Sequence, residues 1–351
     1  MTSKITRLFL IGSFTASALF AGTIRSQGTS GATQLLIPVG AENIATSSAN
    51  VATVSGVEAL YLNPAGVAHF KKGFQGTAST LNYIADIKLT YAGFVTNLGR
   101  AGSFGLALKS MDFGDIPVTT ADATEGTGET FSPTFISVML NYSKSFADRV
   151  DFGLNAKLIN ETIINTSATG VAVDLGVQYK FADLPLSFGV VLRNLGNQME
   201  YTGSDLEQKL TPQDAQSGTI KENFRVKSQP FDLPAVLDIS ANYTVFPGLD
   251  VMGSFRNYSF GPNSNSVAVK YTIAGLGWVA AGSSFQSIAD TKPDNISNAV
   301  WDEWTKTPFG ATFGAGVNVP LGGMNLGVAY SVRTATDYFS NNSTLQLSLE
   351  F

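Results

Sequence analysis

The chain reads as an all-β protein, a transmembrane antiparallel β-barrel of about fourteen strands with an N-terminal plug inside its lumen. Three observations predict this. Only 14% of the 351 residues are charged while 44% are hydrophobic, against roughly 25% charged in ordinary soluble domains. No segment beyond the N-terminus approaches the ~18–20 consecutive apolar residues of a membrane-spanning helix. Apolar residues instead recur at every second position, ending in Leu345-Gln346-Leu347-Ser348-Leu349-Glu350-Phe351, and strict alternation marks a strand with one apolar and one polar face.

The first 26 residues read as a secretory signal: Lys4 and Arg7 precede an apolar stretch from Leu8 to Ala21, and Ala16-Ser17-Ala18 or Ile24-Arg25-Ser26 offer small-residue cleavage ends. Residues 27–72 form the plug and 73–351 the barrel. The plug segment does not alternate. It is rich in small residues through Gly56 and then reads Glu58-Ala59-Leu60-Tyr61-Leu62-Asn63-Pro64-Ala65-Gly66. Asn63 precedes a proline and so favours extended backbone. Pro64 suits the first turn of a short helix, which the Asn63 side chain is placed to cap.

Fourteen alternating segments follow, at about 73–82, 86–96, 102–112, 131–146, 149–161, 170–181, 184–194, 234–246, 249–258, 265–274, 277–286, 309–319, 324–335 and 342–351. In the sixth, Val171, Val173, Leu175, Val177, Tyr179 and Phe181 share one face. In the twelfth, Phe309, Ala311, Phe313, Ala315, Val317 and Val319 do. The connections sort by parity. Even-numbered ones are tight, such as Ala147-Asp148 and Pro247-Gly248, whereas 113–130, 195–233 and 287–308 are long. That is the pattern of an outer-membrane barrel, with short turns in the periplasm and long loops outside, and it places the C-terminus in the periplasm of a bacterium.

Lys88, Lys109, Asp151, Lys157, Asp174, Lys180, Arg193, Asp238, Asp250, Arg256, Lys270, Arg333 and Glu350 fall on the polar face. A Lys or Arg in lipid costs about 2–4 kcal/mol at the midplane, so these residues are expected in the lumen, paired with one another or with Glu42 and Glu58 of the plug. Phe94, Met111 and Met139 are expected to face inward too, as a small hydrophobic pocket. Phe146, Tyr179, Phe181, Tyr243 and Phe246 cluster near the short turns as an interfacial aromatic girdle.

No Cys and a single His, His69, leave no thiol chemistry and no multi-histidine metal site, so neither an enzyme nor a cofactor is expected. The net charge of −5 without a basic run argues against nucleic acid. Lipids of the outer membrane are the expected surroundings. In loop 287–308 the run Ser297 to Trp304 predicts a helical turn presenting Trp301 and Trp304 on one face as a partner contact. Phe351 is the expected signal for the barrel-insertion machinery.

Gly31-Ala32 with Leu35–Gly40, the box around Asn63-Pro64-Ala65-Gly66, Tyr83-Ile84-Ala85-Asp86-Ile87, Met111-Asp112-Phe113-Gly114-Asp115 and the closing strand together resemble the PorV/PorQ family within the wider FadL-like outer-membrane proteins. Glu42-Asn43 and Thr46-Ser47-Ser48 stand where many relatives carry an Ala-Arg pair and a Met-Gly-Gly turn. The resemblance implies an accessory of type IX protein secretion that docks against a larger secretion or cell-surface complex. The alternative it implies is a FadL-like carrier of hydrophobic small molecules through a plugged lumen, able to hold such a molecule or a detergent. Partner-sized loops favour the first reading, and an apolar path through the lumen would favour the second.

Overall fold

In the computed structural model, residues 28–71, 73–210, 222–288, 292–335 and 339–351 are described; the signal-segment expectation for residues 1–26 lies outside them. Fourteen strands form one closed antiparallel ring among these residues. They are β1 Phe74–Asn82, β2 Lys88–Asn97, β3 Ser103–Asp112, β4 Thr134–Phe146, β5 Val150–Ile163, β6 Thr166–Lys180, β7 Leu186–Gly196, β8 Val236–Phe246, β9 Leu249–Tyr258, β10 Asn263–Ile273, β11 Gly277–Ser287, β12 Phe309–Leu321, β13 Met324–Ala335 and β14 Asn342–Glu350.

Each strand pairs with its sequence neighbour, and β14 closes on β1 from Gln75–Glu350 to Asn82–Ser343. Closure leaves no strand without a neighbour on both sides, which a structure lying in hydrocarbon requires because no water is there to satisfy unpaired backbone groups. Phe74 and Phe351 complete the seam by exchanging backbone hydrogen bonds of 2.8 and 3.0 Å. No helix of the described residues is long and apolar enough to cross a membrane.

The alternation read from the sequence becomes two surfaces. Leu106, Leu140 and Val173 stand in register across the outside of the wall. Ala107, Met139, Lys157 and Ala172 do so across the inside, where the last three are buried. The tight turns carry the backbone that a right-twisted hairpin demands: Ala147 and Asp148 both take positive φ, 52° and 54°. Outside, near those turns, Phe146 packs edge-on against Phe152 and Tyr179 against Phe181.

β2 corrects the expected register. Leu89, Tyr91 and Val95 point into the lumen and are buried, and Lys88 and Phe94 therefore point out. The plug supplies the reason, because this sector of it is apolar: the Tyr91 hydroxyl donates to the Val57 carbonyl at 2.8 Å, and Leu89, Tyr91 and Val95 join Val57, Leu60 and Tyr61 in one core. Lys88 lies at the exposed long-loop rim, paired in register with Asn82 and Asp112. Phe94 stacks on Phe74 at 5.8 Å, and Phe74 on Phe351 at 5.0 Å, as part of the outer aromatic belt.

Residues 28–71 fill the ring. Short helical pieces follow one another, among them α1 Ala41–Ala45 and α2 Ala59–Leu62, with a 3₁₀ turn at Pro64–Val67. The longest described helix of a loop, α3 Asn298–Thr305, is capped by Ser297 Oγ accepting from the Val300 amide.

Candidate functional site

The short-turn half of the lumen is sealed by the plug. Asn63 is extended at φ −152°, ψ 106°, and its Oδ1 accepts from the Ala65 amide at 3.2 Å. Its Nδ2 donates to the carbonyls of Val51 at 2.9 Å and Val177 at 3.2 Å, tying the box to β6. The wall opposite has no side chains to spare: a Cβ on Gly153 would overlap the Pro64 backbone, and one on Gly176 would overlap the Asn63 amide. Gln178 Nε2 bridges the carbonyls of Val51 and Val54, both at 3.0 Å. Small residues thus let two backbones approach, and the buried polar groups satisfy one another.

The inward ions form a second tier. Asp238 accepts from both Arg193 and Arg256 at 2.6 Å. Lys157 meets Asp174 at 2.7 Å, and Asn155 joins Asp174 at 2.8 Å to the Leu60 carbonyl at 2.7 Å. Lys109 has no carboxylate; it donates to the Gln34 and Ile37 carbonyls, each at 2.6 Å, and lies 4.8 Å over the Tyr61 ring. Glu42 pairs with Lys270 at 2.5 Å. Glu58 pairs with no cation among the described residues. It accepts from Gln346 at 2.7 Å and the Asn43 amide at 3.0 Å, and burial, then the charge of Glu42, raises its pKa to about 7. His69 sits at the short-turn end, 3.1 Å from Asp151, whose other oxygen accepts from Ser145; Ser145 and the ring are not linked, so no nucleophile–base pair arises.

The long-loop half is open where the lower half is closed. A cleft of about 560 Å³ lies between the top of the plug and the wall. Its floor includes Ile37, Pro38, Ile44 and Ser47, and its sides include Tyr83, Met111, Phe113, Phe135, Tyr258, Phe260, Phe285 and Phe309, with Arg256 and Arg333. Hydroxyl and amide side chains such as Gln34, Asn43, Ser264 and Gln286 share the lining, so aromatic rings and polar groups converge there, as they do in small-molecule sites. Of the three residues expected to form a pocket, Met111 lines this cleft, Met139 is buried beside the plug core, and Phe94 is outside the barrel. The aromatic residues that make the cleft come from strand ends and loops, where alternation carries no signal.

Phe309 is the clearest case. Alternation puts it on the lipid face with Phe313, but β12 is bulged between Phe309 and Thr312. The bulge re-aims Phe309 inward, where its ring lies 6.0 Å from Tyr83 and 3.6 Å from the Arg333 guanidinium. The same bulge interrupts the wall. Strand β11 pairs with β12 from Gly277–Val317 to Gly282–Thr312 and no further, while Ser283 to Ser287 continue along β10 alone. Thr312, at the fork, donates to the Ala45 carbonyl at 2.7 Å and meets Ser47 at 2.9 Å, so α1 is fastened where the seam begins. The cleft reaches this seam through Ser284, Phe285 and Gln286 on one side and Thr307, Pro308 and Phe309 on the other.

Loop 195–233 folds over the start of the plug. Met199 bridges to Phe231, and the pair packs with Ala32, Leu35 and Leu233. In α3 the Trp301 side chain is partly exposed; that of Trp304 lies outside the described residues, so the expected pairing of the two rings is not assessed.

No family model matches the chain, and no curated protein does. Solved structures do. The toluene transporter TodX of Pseudomonas putida superposes with a TM-score of 0.57 at 12% identity, covering 89% of this chain and 96% of its own. The toluene transporter TbuX of Ralstonia pickettii gives 0.54 at 11% identity, over 89% and 97%. A FadL homologue of Pseudomonas aeruginosa gives 0.52 at 11% identity, over 89% and 98%. The fold is FadL-like. This corrects the secretion-accessory expectation: the neighbours are named as transporters of toluene or channels of monoaromatic hydrocarbons, not as secretion components.

Proposed function

We propose that this chain is an outer-membrane carrier of hydrophobic small molecules. The observation that carries the reading is the aromatic cleft at the long-loop end, placed beside a seam where β11 and β12 part. A molecule from the long-loop side loses apolar surface to water on entering; each buried CH₂ contributes about 0.8 kcal/mol. Below it the plug is locked to the glycine-lined wall, so the straight route through the lumen is shut. The seam is the route that remains without moving the plug. In this reading the short turns and Phe351 lie in the periplasm, residues 1–26 are removed on export, and the Asn63-Pro64-Ala65-Gly66 box marks a structural kinship with the PorV/PorQ proteins.

The test joins the seam. Ser283→Cys with Ala311→Cys, in a chain otherwise free of cysteine, is bridged by a short, reducible bis-thiol reagent in cells, and uptake of a labelled alkylbenzene is followed. Several-fold slower uptake that recovers on reduction is expected. Unchanged uptake with the bridge formed would remove the seam from the route, and failure of the purified protein to bind any hydrophobic small molecule, hydrocarbon or acid, would remove the carrier reading itself.

A further inference from the structure

The cleft holds a cation that meets no carboxylate among the described residues. Arg256 shares the single carboxylate of Asp238 with Arg193, each at 2.6 Å. Arg333, which lines the same cleft, has no carboxylate partner among the described residues: its neighbours are the rings of Phe309 and Tyr83, the Tyr83 hydroxyl, to which it is hydrogen-bonded, and the phenol of Tyr258. Its Nε is buried without a hydrogen-bond partner. An unpaired ion in such surroundings is costly unless something supplies the opposite charge. The comparison with Lys109 is instructive, because that cation also lacks a carboxylate but has two backbone carbonyls at 2.6 Å. Arg333 has only the Tyr83 hydroxyl in that role, and it faces the cleft.

We propose that the molecule carried is an aromatic acid, with its carboxylate on Arg333 and its ring among the aromatic side chains of the cleft. The inference rests on the carrier reading and narrows it. A guanidinium binds a carboxylate through two parallel N–H···O bonds in one plane. In an aryl carboxylate that plane extends into the ring, so the acid lies beside Phe309, whose face, 3.6 Å from the guanidinium, fixes the plane of the pair. Tyr83, 6.0 Å from Phe309, and the edge-on pair Phe113–Phe135 at 4.9 Å offer the tilted and edge contacts that aromatic rings favour. A neutral hydrocarbon would leave the cation without a carboxylate, and a saturated chain would use its charge but not the rings.

The purified full-length barrel in detergent is titrated calorimetrically with 4-butylbenzoate, butylbenzene and decanoate, for the wild type, Arg333→Gln and Arg333→Lys. The wild type is expected to bind 4-butylbenzoate at least about tenfold more tightly than either of the others, from charge-assisted bidentate pairing. Arg333→Gln is expected to abolish that preference through loss of acid affinity, and Arg333→Lys to keep part of it. Equal affinity for the acid and the hydrocarbon, or an acid affinity indifferent to Arg333→Gln, overturns the proposal while the carrier reading stands. Decanoate binding as tightly as 4-butylbenzoate overturns the aromatic assignment. Failure of all three to bind the wild type overturns both this proposal and the carrier reading. Heat-modifiable migration confirms that each variant is a folded barrel.

Discussion

The two halves of the lumen are built from the same strands and behave oppositely. At the short-turn end, glycines of the wall meet the plug backbone, and Asn63, Gln178 and Asn155 join the two through hydrogen bonds. At the long-loop end, large aromatic side chains stand off from the plug, a cleft remains between them, and one ladder stops short. The difference is one of side-chain size and of satisfied polarity. Where side chains vanish, backbone can dock on backbone and exclude everything; where they are large and apolar, space is left that apolar matter fills best. A plugged carrier needs both, a stopper and a seat.

The largest effect is expected from giving the stopper a side chain to fight. Gly153→Val puts atoms where the Pro64 backbone lies, and overpacking of about 1–3 kcal/mol or more should unseat the plug. Single-channel recordings in planar bilayers should then show conductance absent from the wild type; a variant that folds and stays closed would mean the plug is held elsewhere. Next comes Asp238→Asn, which strips two buried guanidinium groups of their shared partner. Breaking a buried ion pair costs about 3–5 kcal/mol, readable as a lower midpoint of urea unfolding in micelles, with plug and cleft affected together because the triad joins β7, β8 and β9.

Third is Glu58. Its pKa is raised from 4.5 to about 7, so between those values the native state holds a proton that the unfolded state has released. Stability therefore falls as pH rises through this window, by at most about 3 kcal/mol, and it is fully retained below it. Thermal unfolding between pH 5 and pH 8 should show the decline, and Glu58→Gln should flatten it. A wild-type profile that rises with pH would contradict the assignment. Phe309→Ala should leave unfolding unaltered and weaken alkylbenzene binding roughly tenfold, the worth of a lost aromatic contact in a preformed site; that result separates seat from stopper. The smallest effect is expected for Phe351→Ala, a modest drop in assembled barrel measured by heat-modifiable migration.

Much of the barrel was readable in the chain because lipid enforces it. A strand with hydrocarbon on one side must alternate, and the turns between strands must be tight on one rim, so all fourteen strands and their connections were predicted to within a few residues. β2 escaped for a physical reason: its inner neighbour is the apolar face of the plug, so both of its faces are apolar and Phe94 could not be told from Tyr91. The cleft escaped because Phe309 is turned by a bulge, and a bulge has no signature in the alternation it breaks. Ser47 and Ser48 both take positive φ, 49° and 58°, a turn that neither residue type announces in the sequence.

What the sequence determined by itself was the contract with the solvent: which face of most strands meets lipid, where the chain turns, and that the stretch before β1 does not alternate. These follow from local periodicity, which each strand carries alone. What only the tertiary structure decided was which inward residues find partners. Lys270 finds Glu42 across 228 positions, Lys109 finds two carbonyls, and Arg333 finds aromatic rings and a phenol but no carboxylate among the described residues. Such pairings depend on how a closed ring brings distant strands and a threaded plug together, and no local pattern encodes them.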